Sequence, residues 1–252
     1  MQNSYTMRRV ISVMSGKGGV GKTFLTLNLG LSFHDFEEDS TVVDADLQNP
    51  NLGLHLGFYD YTLTLHDALS RGINILDVVH LHHTGLKIIP ASMSLEYLYT
   101  NPERLQELMN ELEGYVLIDA APGLGREVVS TLKASNDVLL VTNPEITSVT
   151  DCIRTAELAR TMKKALLGVV VNRRRGRGYE IPNGEIEEAV GAPVIGVIPE
   201  DENVKKSIAA GKPIVRYSPH SKASISVKRI AAGILEKEYS PGRLLFLKQL
   251  FR

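Results

Sequence analysis

Apolar and amphipathic stretches alternate along this chain. Runs rich in Val, Ile and Leu fall at 8–14, 40–45, 86–90, 115–119, 137–142, 166–171 and 193–198. Several of them, such as Val138–Val141 and Leu166–Val171, have no charged or hydrogen-bonding side chain at all. Runs of that kind suit strands covered on both faces of a parallel sheet. Between them, helical periodicity appears at 22–34, 64–70, 102–113, 125–134, 147–163, 183–190, 202–210 and 221–238. This alternation predicts an α/β fold, a doubly wound and mainly parallel β-sheet flanked by helices. No internal repeat, low-complexity tract or linker interrupts it. Composition shifts once, at Ser240-Pro241-Gly242, so residues 1–239 read as one domain and 240–252 as a separate tail.

The tail has its own pattern. On a helix, Leu244, Phe246, Leu247, Leu250 and Phe251 share an arc of roughly 160°. Lys248, Gln249 and Arg252 lie opposite, and Leu245 falls on the polar side. With three basic side chains and no acidic one, the segment has the make-up of an interfacial membrane helix drawn to anionic lipid. The competing expectation is a terminal helix docked on its own core or on a partner.

Composition adds limits. The chain has 252 residues, 43% hydrophobic and 23% charged, which suits one sizeable soluble domain. A net charge of −1 supplies no global basic field for nucleic acid. The single cysteine, Cys152, rules out an internal disulfide and fits a reducing compartment. No apolar stretch approaches the roughly 20 residues of a spanning helix, and the first ten residues do not resemble a signal peptide. A cytoplasmic location is the expectation.

Residues Gly16–Thr23, GKGGVGKT, carry the chemistry. They follow an apolar run and open a helical segment, with the spacing G-x-x-x-x-G-K-[ST] of a phosphate-binding loop. Glycines at 16, 18, 19 and 21 let successive N–H groups, including that of Val20, turn toward phosphate oxygens. The helix start adds its positive end. Lys22 is placed to reach the β- and γ-phosphates, and the Thr23 hydroxyl to bind Mg²⁺. Tyr115-Val116-Leu117-Ile118-Asp119 is an apolar strand ending in an aspartate, the Walker B pattern, in which Asp119 holds Mg²⁺ through water. Asp44 and Asp46 end the second strand, two apart and so on one side of it.

A second lysine, Lys17, lies inside the loop. The resulting K-G-G-x-G-K-T resembles the deviant Walker A loop of the MinD/ParA family of P-loop ATPases. The resemblance implies that Lys17 reaches across a dimer interface to the other subunit's phosphates, cationic charge supplied in trans. It also implies that Asp46 positions the attacking water and that Asp44 lies near the Mg²⁺ shell. Ala120-Ala121-Pro122-Gly123-Leu124 resembles the family's second switch, in which the Gly123 amide senses the γ-phosphate, although proline stands one residue later than usual. Asn172, at the end of the sixth strand, offers a donor and an acceptor in one plane, as an adenine edge requires. The resemblance assigns it to the base, with Pro199, Glu200 and Asp201 closing the other side. Relatives with iron–sulfur clusters need more cysteines than Cys152.

The tail resembles the membrane-targeting C-terminus of MinD-like members, through Leu244, Phe246, Leu247, Lys248, Leu250 and Phe251. Together these features imply an ATPase using ATP and Mg²⁺ with Lys17, Lys22 and Asp46 as its catalytic set. It forms an ATP-dependent homodimer and sits on the inner face of the membrane while ATP-bound. Hydrolysis is slow, is stimulated by a protein activator and releases the dimer, and the whole serves as a spatial cue for division-site placement. Two rivals share the motifs: a DNA-partitioning ATPase, which the run Arg173-Arg174-Arg175-Gly176-Arg177 keeps open, and a regulator that positions flagella or another surface assembly. As a simple surface, that arginine run is a solvated loop.

Overall fold

The computed structural model describes residues 8–59, 61–97 and 100–241. Its centre is an eight-stranded sheet. β1 (Arg9–Met14) leads through the glycine loop into α1 (Lys22–Asp35), and β2 (Ser40–Ala45) leads to α2 (Leu52–Leu56) and α3 (Leu65–Arg71). The small β3 (His80–Leu81) and β4 (Lys87–Ile89) precede α4 (Leu105–Met109), then come β5 (Tyr115–Ala120) and α5 (Arg126–Ala134). β6 (Asp137–Thr142), α6 (Ile146–Thr161), β7 (Ala165–Arg174), α7 (Asn183–Val190) and β8 (Val194–Pro199) follow. α8 (Glu202–Ala209), α9 (Ile214–Tyr217) and α10 (Lys222–Ile234) complete the described chain.

The strand order is β3-β4-β2-β5-β1-β6-β7-β8. Every pairing is parallel except that of β3 with β4. Central strands are buried on both faces. In β1, Ile11 and Val13 pack under α1 and α10, while Val10 and Met14 face the helices of the other side. α1 lies so deep that Phe24 through Phe33 are all buried. Its polar residues bond inward: Thr26 Oγ1 donates to the Lys22 carbonyl at 2.9 Å and Asn28 Nδ2 to the Phe24 carbonyl at 2.7 Å. A helix apolar all round is what a core position requires.

Departures from the expected elements have local causes. The segment 102–113 forms a 3₁₀ turn at Pro102–Arg104 and only a short helix, because Pro102 opens it and Gly114 (φ 68°) follows close behind. α2 and α9 span five and four residues, too few to show a helical period. α10 stops at Ile234, where the chain turns through Glu236 at φ 55°. Tail residues 242–252 lie outside the described residues. Among the described residues no helix is long and apolar enough to cross a membrane.

Candidate functional site

β1 occupies the middle of the sheet between β5 and β6, so the loop at its carboxyl end opens where ligands bind in this fold class. Ser15 Oγ closes the loop's first turn on the Lys17 carbonyl at 2.7 Å. Gly16 is pressed against α6: a Cβ there would lie 2.3 Å from the Asp151 carbonyl oxygen. Gly21 sits at φ 104° and starts α1, with a Cβ position occupied by the Asn172 amide. Both positions therefore require glycine for conformation or for space.

Gly18, Gly19, Gly21, Lys22 and Thr23 line a cleft of about 640 Å³, within the range of small-ligand sites. Val20 is buried below it, and Gly16 serves packing. Lys22 is only 8% exposed. Burial lowers its pKa, opposed by the charges of Asp119, Asp46 and Asp44. Lys17 by contrast is exposed outside the cleft lining, its Nζ 3.4 Å from Thr147 Oγ1 on α6.

Parallel pairing of β2 with β5 sets Asp44 directly beside Asp119. Thr23 Oγ1 donates to Asp119 Oδ2 at 2.5 Å. Asp119 Oδ1 is buried with no hydrogen-bond partner among the described residues. Burial pushes this carboxyl up to about 6, against the pull of Lys22 and the Thr23 hydroxyl. An orphaned carboxylate oxygen beside a threonine hydroxyl, under a cleft, fits Mg²⁺, which takes few protein oxygens and keeps several waters.

Asp44, beside Asp119, has a structural task as well. Its carboxylate accepts the backbone N–H groups of Asp46 (3.3 Å), Asn51 (3.1 Å) and Leu52 (3.0 Å). It is 1% exposed and does not line the cleft. Burial and the Asp119 charge raise its pKa well above the usual range. Asp44 thus anchors the loop that begins α2. Asp46 does line the cleft, with Oδ1 accepting the Asn49 N–H at 3.1 Å and burial raising its pKa. A second hollow of about 530 Å³ lies beyond Asp46, walled also by Glu127 on α5.

Gly123 takes φ 87°, and its N–H donates to the Ser15 carbonyl at 3.3 Å, so here it is tied to the loop below the cleft. Asn172 carries a further role that its sequence position did not show. Its Nδ2 donates to the Val20 carbonyl at 2.7 Å and its Oδ1 accepts the Arg173 N–H at 2.9 Å. Asn172 thus braces the phosphate loop and also lines the cleft, with one N–H and one Oδ1 lone pair left over. Pro199, Glu200 and Asp201 line the far end of the cleft, where Asp201 also caps α8 through the Asn203 N–H at 2.9 Å. Arg173, Arg175 and Lys205 line that end too, and the sequence pattern did not single them out for it. The arginine run was visible, but not which of its members turn inward. The tail residues Leu244, Phe246, Leu247, Lys248, Leu250 and Phe251 lie outside the described residues.

Residues 6–235 match the ParA family model, described as NUBPL iron-transfer P-loop NTPase. An uncharacterised ATP-binding protein of Methanocaldococcus jannaschii is 33% identical over 237 residues, 92% of this chain and 90% of that protein. The septum site-determining protein MinD of Pyrococcus horikoshii, solved in complex with Mg-ADP, is 31% identical. It superposes with a TM-score of 0.86, covering 90% of this chain and 96% of that one. MinD in the MinC:MinD cell division complex of Aquifex aeolicus is 27% identical, with a TM-score of 0.80 over 93% of this chain and 99% of that one.

Proposed function

The chain belongs to the MinD/ParA family of P-loop NTPases, and from that footing we propose that it is a MinD-like ATPase. It dimerises on ATP, attaches to anionic membrane through its tail, acts as a spatial cue for cell division and lets go on hydrolysis. The likeness to MinD solved with Mg-ADP supports ATP and Mg²⁺ as its ligands. The likeness to MinD in a MinC:MinD complex supports a protein effector. Cys152 is buried in the core with its thiol pushed up to about 12 by desolvation, so it does not offer a thiolate to an iron cluster.

The observation that carries this reading is the contrast between the two lysines of one loop. Lys22 is buried among three carboxylates in its own cleft, whereas Lys17 stands exposed outside it. An exposed Lys17, held by a 3.4 Å contact to Thr147 Oγ1, supports a role toward a second molecule's phosphates. In each subunit the loop amides and Lys22 hold the β- and γ-phosphates. Thr23 and Asp119 would hold Mg²⁺, which when bound supplies charge neutralisation to the phosphates. Asp46 orients the attacking water at the cleft wall, and Lys17 of the facing subunit stabilises the charge that develops on transfer. Two tails on one dimer make the second membrane attachment intramolecular, which raises apparent affinity on the order of 100-fold.

The test uses Asp46→Ala, which keeps ATP binding and loses turnover. With ATP and Mg²⁺ it sediments as a dimer and pellets with anionic liposomes; with ADP it does neither. Lys17→Ala weakens the dimer in that background, and a chain ending at Ser240 dimerises but stays off the liposomes. An Asp46→Ala protein that remains monomeric at saturating ATP overturns the dimer. Equal pelleting of truncated and full-length chains overturns the role of the tail.

A further inference from the structure

Two titratable side chains that the proposed reaction does not use meet at one peptide. Leu47 follows Asp46, is 6% exposed and belongs to the core shared with Leu65 and Ala68 of α3. On one side of it stands His66 of α3, fully buried. Its Nδ1 accepts the Ser92 N–H at 2.9 Å, and burial lowers its pKa, so the neutral ring carries its proton on Nε2. That Nε2 has no hydrogen-bond partner of good geometry among the described residues, and it faces the Leu47 carbonyl.

On the other side stands Glu127, half-buried in the first turn of α5. Burial and then the Asp46 charge raise its pKa, while the Gln48 side chain and the Leu47 N–H, which its carboxyl faces, pull it down. Asp46, Gln48 and Glu127 wall the same hollow beside the cleft. The backbone around Leu47 is tied down as well. The Asp46 N–H donates to Asp44 Oδ1 at 3.3 Å, and the Asn49 N–H donates to Asp46 Oδ1 at 3.1 Å. α5 follows the loop that begins at Asp119 and includes Gly123, so one carboxylate spans the two segments that border the phosphate end.

An acidic residue in the first turn of a helix ordinarily complements the helix dipole. At Glu127 the nearby Asp46 carboxylate works against that benefit, yet the side chain still turns to the Leu47–Gln48 segment. The direction of the Asp46 carboxylate follows from the backbone that carries it, and a peptide held from both sides fixes that backbone. We propose that Glu127 is a positioning residue for hydrolysis: from α5 it holds the Leu47–Gln48 segment against His66, and so keeps Asp46 at the cleft wall where it meets the attacking water. The proposal rests on the reading of Asp46 as the residue that orients that water.

The test measures turnover of Mg-ATP and affinity for Mg-ADP in the full chain. Glu127→Ala lowers kcat on the order of 10-fold, because a small misplacement of a reacting group is costly in rate, and leaves KM and Mg-ADP affinity at parental values. Glu127→Gln keeps an acceptor oxygen for the Leu47 N–H and loses the charge, so it recovers most of the rate, whereas a dipole role would be lost in both variants. The Asp46→Ala/Glu127→Ala pair dimerises with ATP as Asp46→Ala alone does. Melting curves of each variant confirm a folded chain; where Glu127→Ala melts below the assay temperature, Glu127→Asp, one methylene shorter, takes its place and loses rate in the same way. Parental kcat in Glu127→Ala overturns the proposal, as does a glutamine variant no faster than alanine, or a matching loss of Mg-ADP affinity or of the dimer. If Asp46→Ala itself hydrolyses ATP at the parental rate, the reading of Asp46 fails instead.

Discussion

The two ends of the cleft are built by different means. At the phosphate end the loop's lining comes from one short run, Gly18, Gly19, Gly21, Lys22 and Thr23, with Asp119 delivered by the neighbouring strand. The working groups there are mostly backbone amides and one buried lysine, shielded and fixed. At the nucleoside end, Arg173 and Arg175 come from the end of β7 and the loop after it, and Pro199, Glu200, Asp201 and Lys205 from the end of β8 and the start of α8, so the groups are side chains near solvent. A site made of backbone needs only the right local turn. A site made of side chains needs a register slip at the end of β7, a loop pinned by Glu180 and a facing helix to aim it.

The largest effect that tests this contrast is at Lys22. Lys22→Ala removes the main point charge under the phosphates, and affinity for ADP and pyrophosphate falls on the order of 100-fold, charge-assisted contacts being the strong ones. Substantial ADP binding in that variant, read by calorimetry, would show that the nucleoside end carries affinity by itself and would erase the asymmetry.

Asn172 joins the two ends and sharpens the boundary. Asn172→Ala leaves the Val20 carbonyl without its amide partner at the base of the loop. The expected cost is about 1–3 kcal/mol of stability, seen as a lower melting temperature, with pyrophosphate affinity falling together with that for ADP. An unchanged melting temperature with loss of ADP affinity alone would instead make contact with the base its main role.

The smallest effect concerns the charge stored at the phosphate end. Burial raises the Asp119 carboxyl from 3.8 to about 6, so the folded chain holds this proton after the unfolded chain has lost it. Its contribution to stability is full below about pH 4 and is lost as pH rises through 6. Asp119→Asn cannot ionise. Without ligand it therefore matches the parent near pH 4 and melts a few °C higher at pH 7.5, about 2–4 °C for each kcal/mol at this size. An offset that does not grow across that pH window excludes the buried charge as its source.

Where the sequence was legible, the signal was local. The strands at 40–45 and 137–142 were read to the residue, since apolar runs with both faces buried leave a plain pattern. α2 and β3 were not read, because five and two residues show no period. Asp44 and Asn172 stand out in the sequence as strand-end residues, but not the hydrogen bonds by which each also holds a loop in place. Those bonds are made with amides up to eight positions away for Asp44 and with a carbonyl 152 positions away for Asn172.

The sequence by itself determined the α/β class, the phosphate loop, the acceptor aspartate under it and the second lysine, because each is written in neighbouring residues whose backbone geometry follows from glycine placement and strand–helix order. Tertiary structure alone decided that Lys17 stands outside its own cleft, that Asn172 braces the loop, and that two of the four arginines turn inward while a third bonds to α7. Those outcomes depend on strand register and on partners far along the chain, and a linear pattern of apolar and polar residues carries no information about which way such a side chain will face.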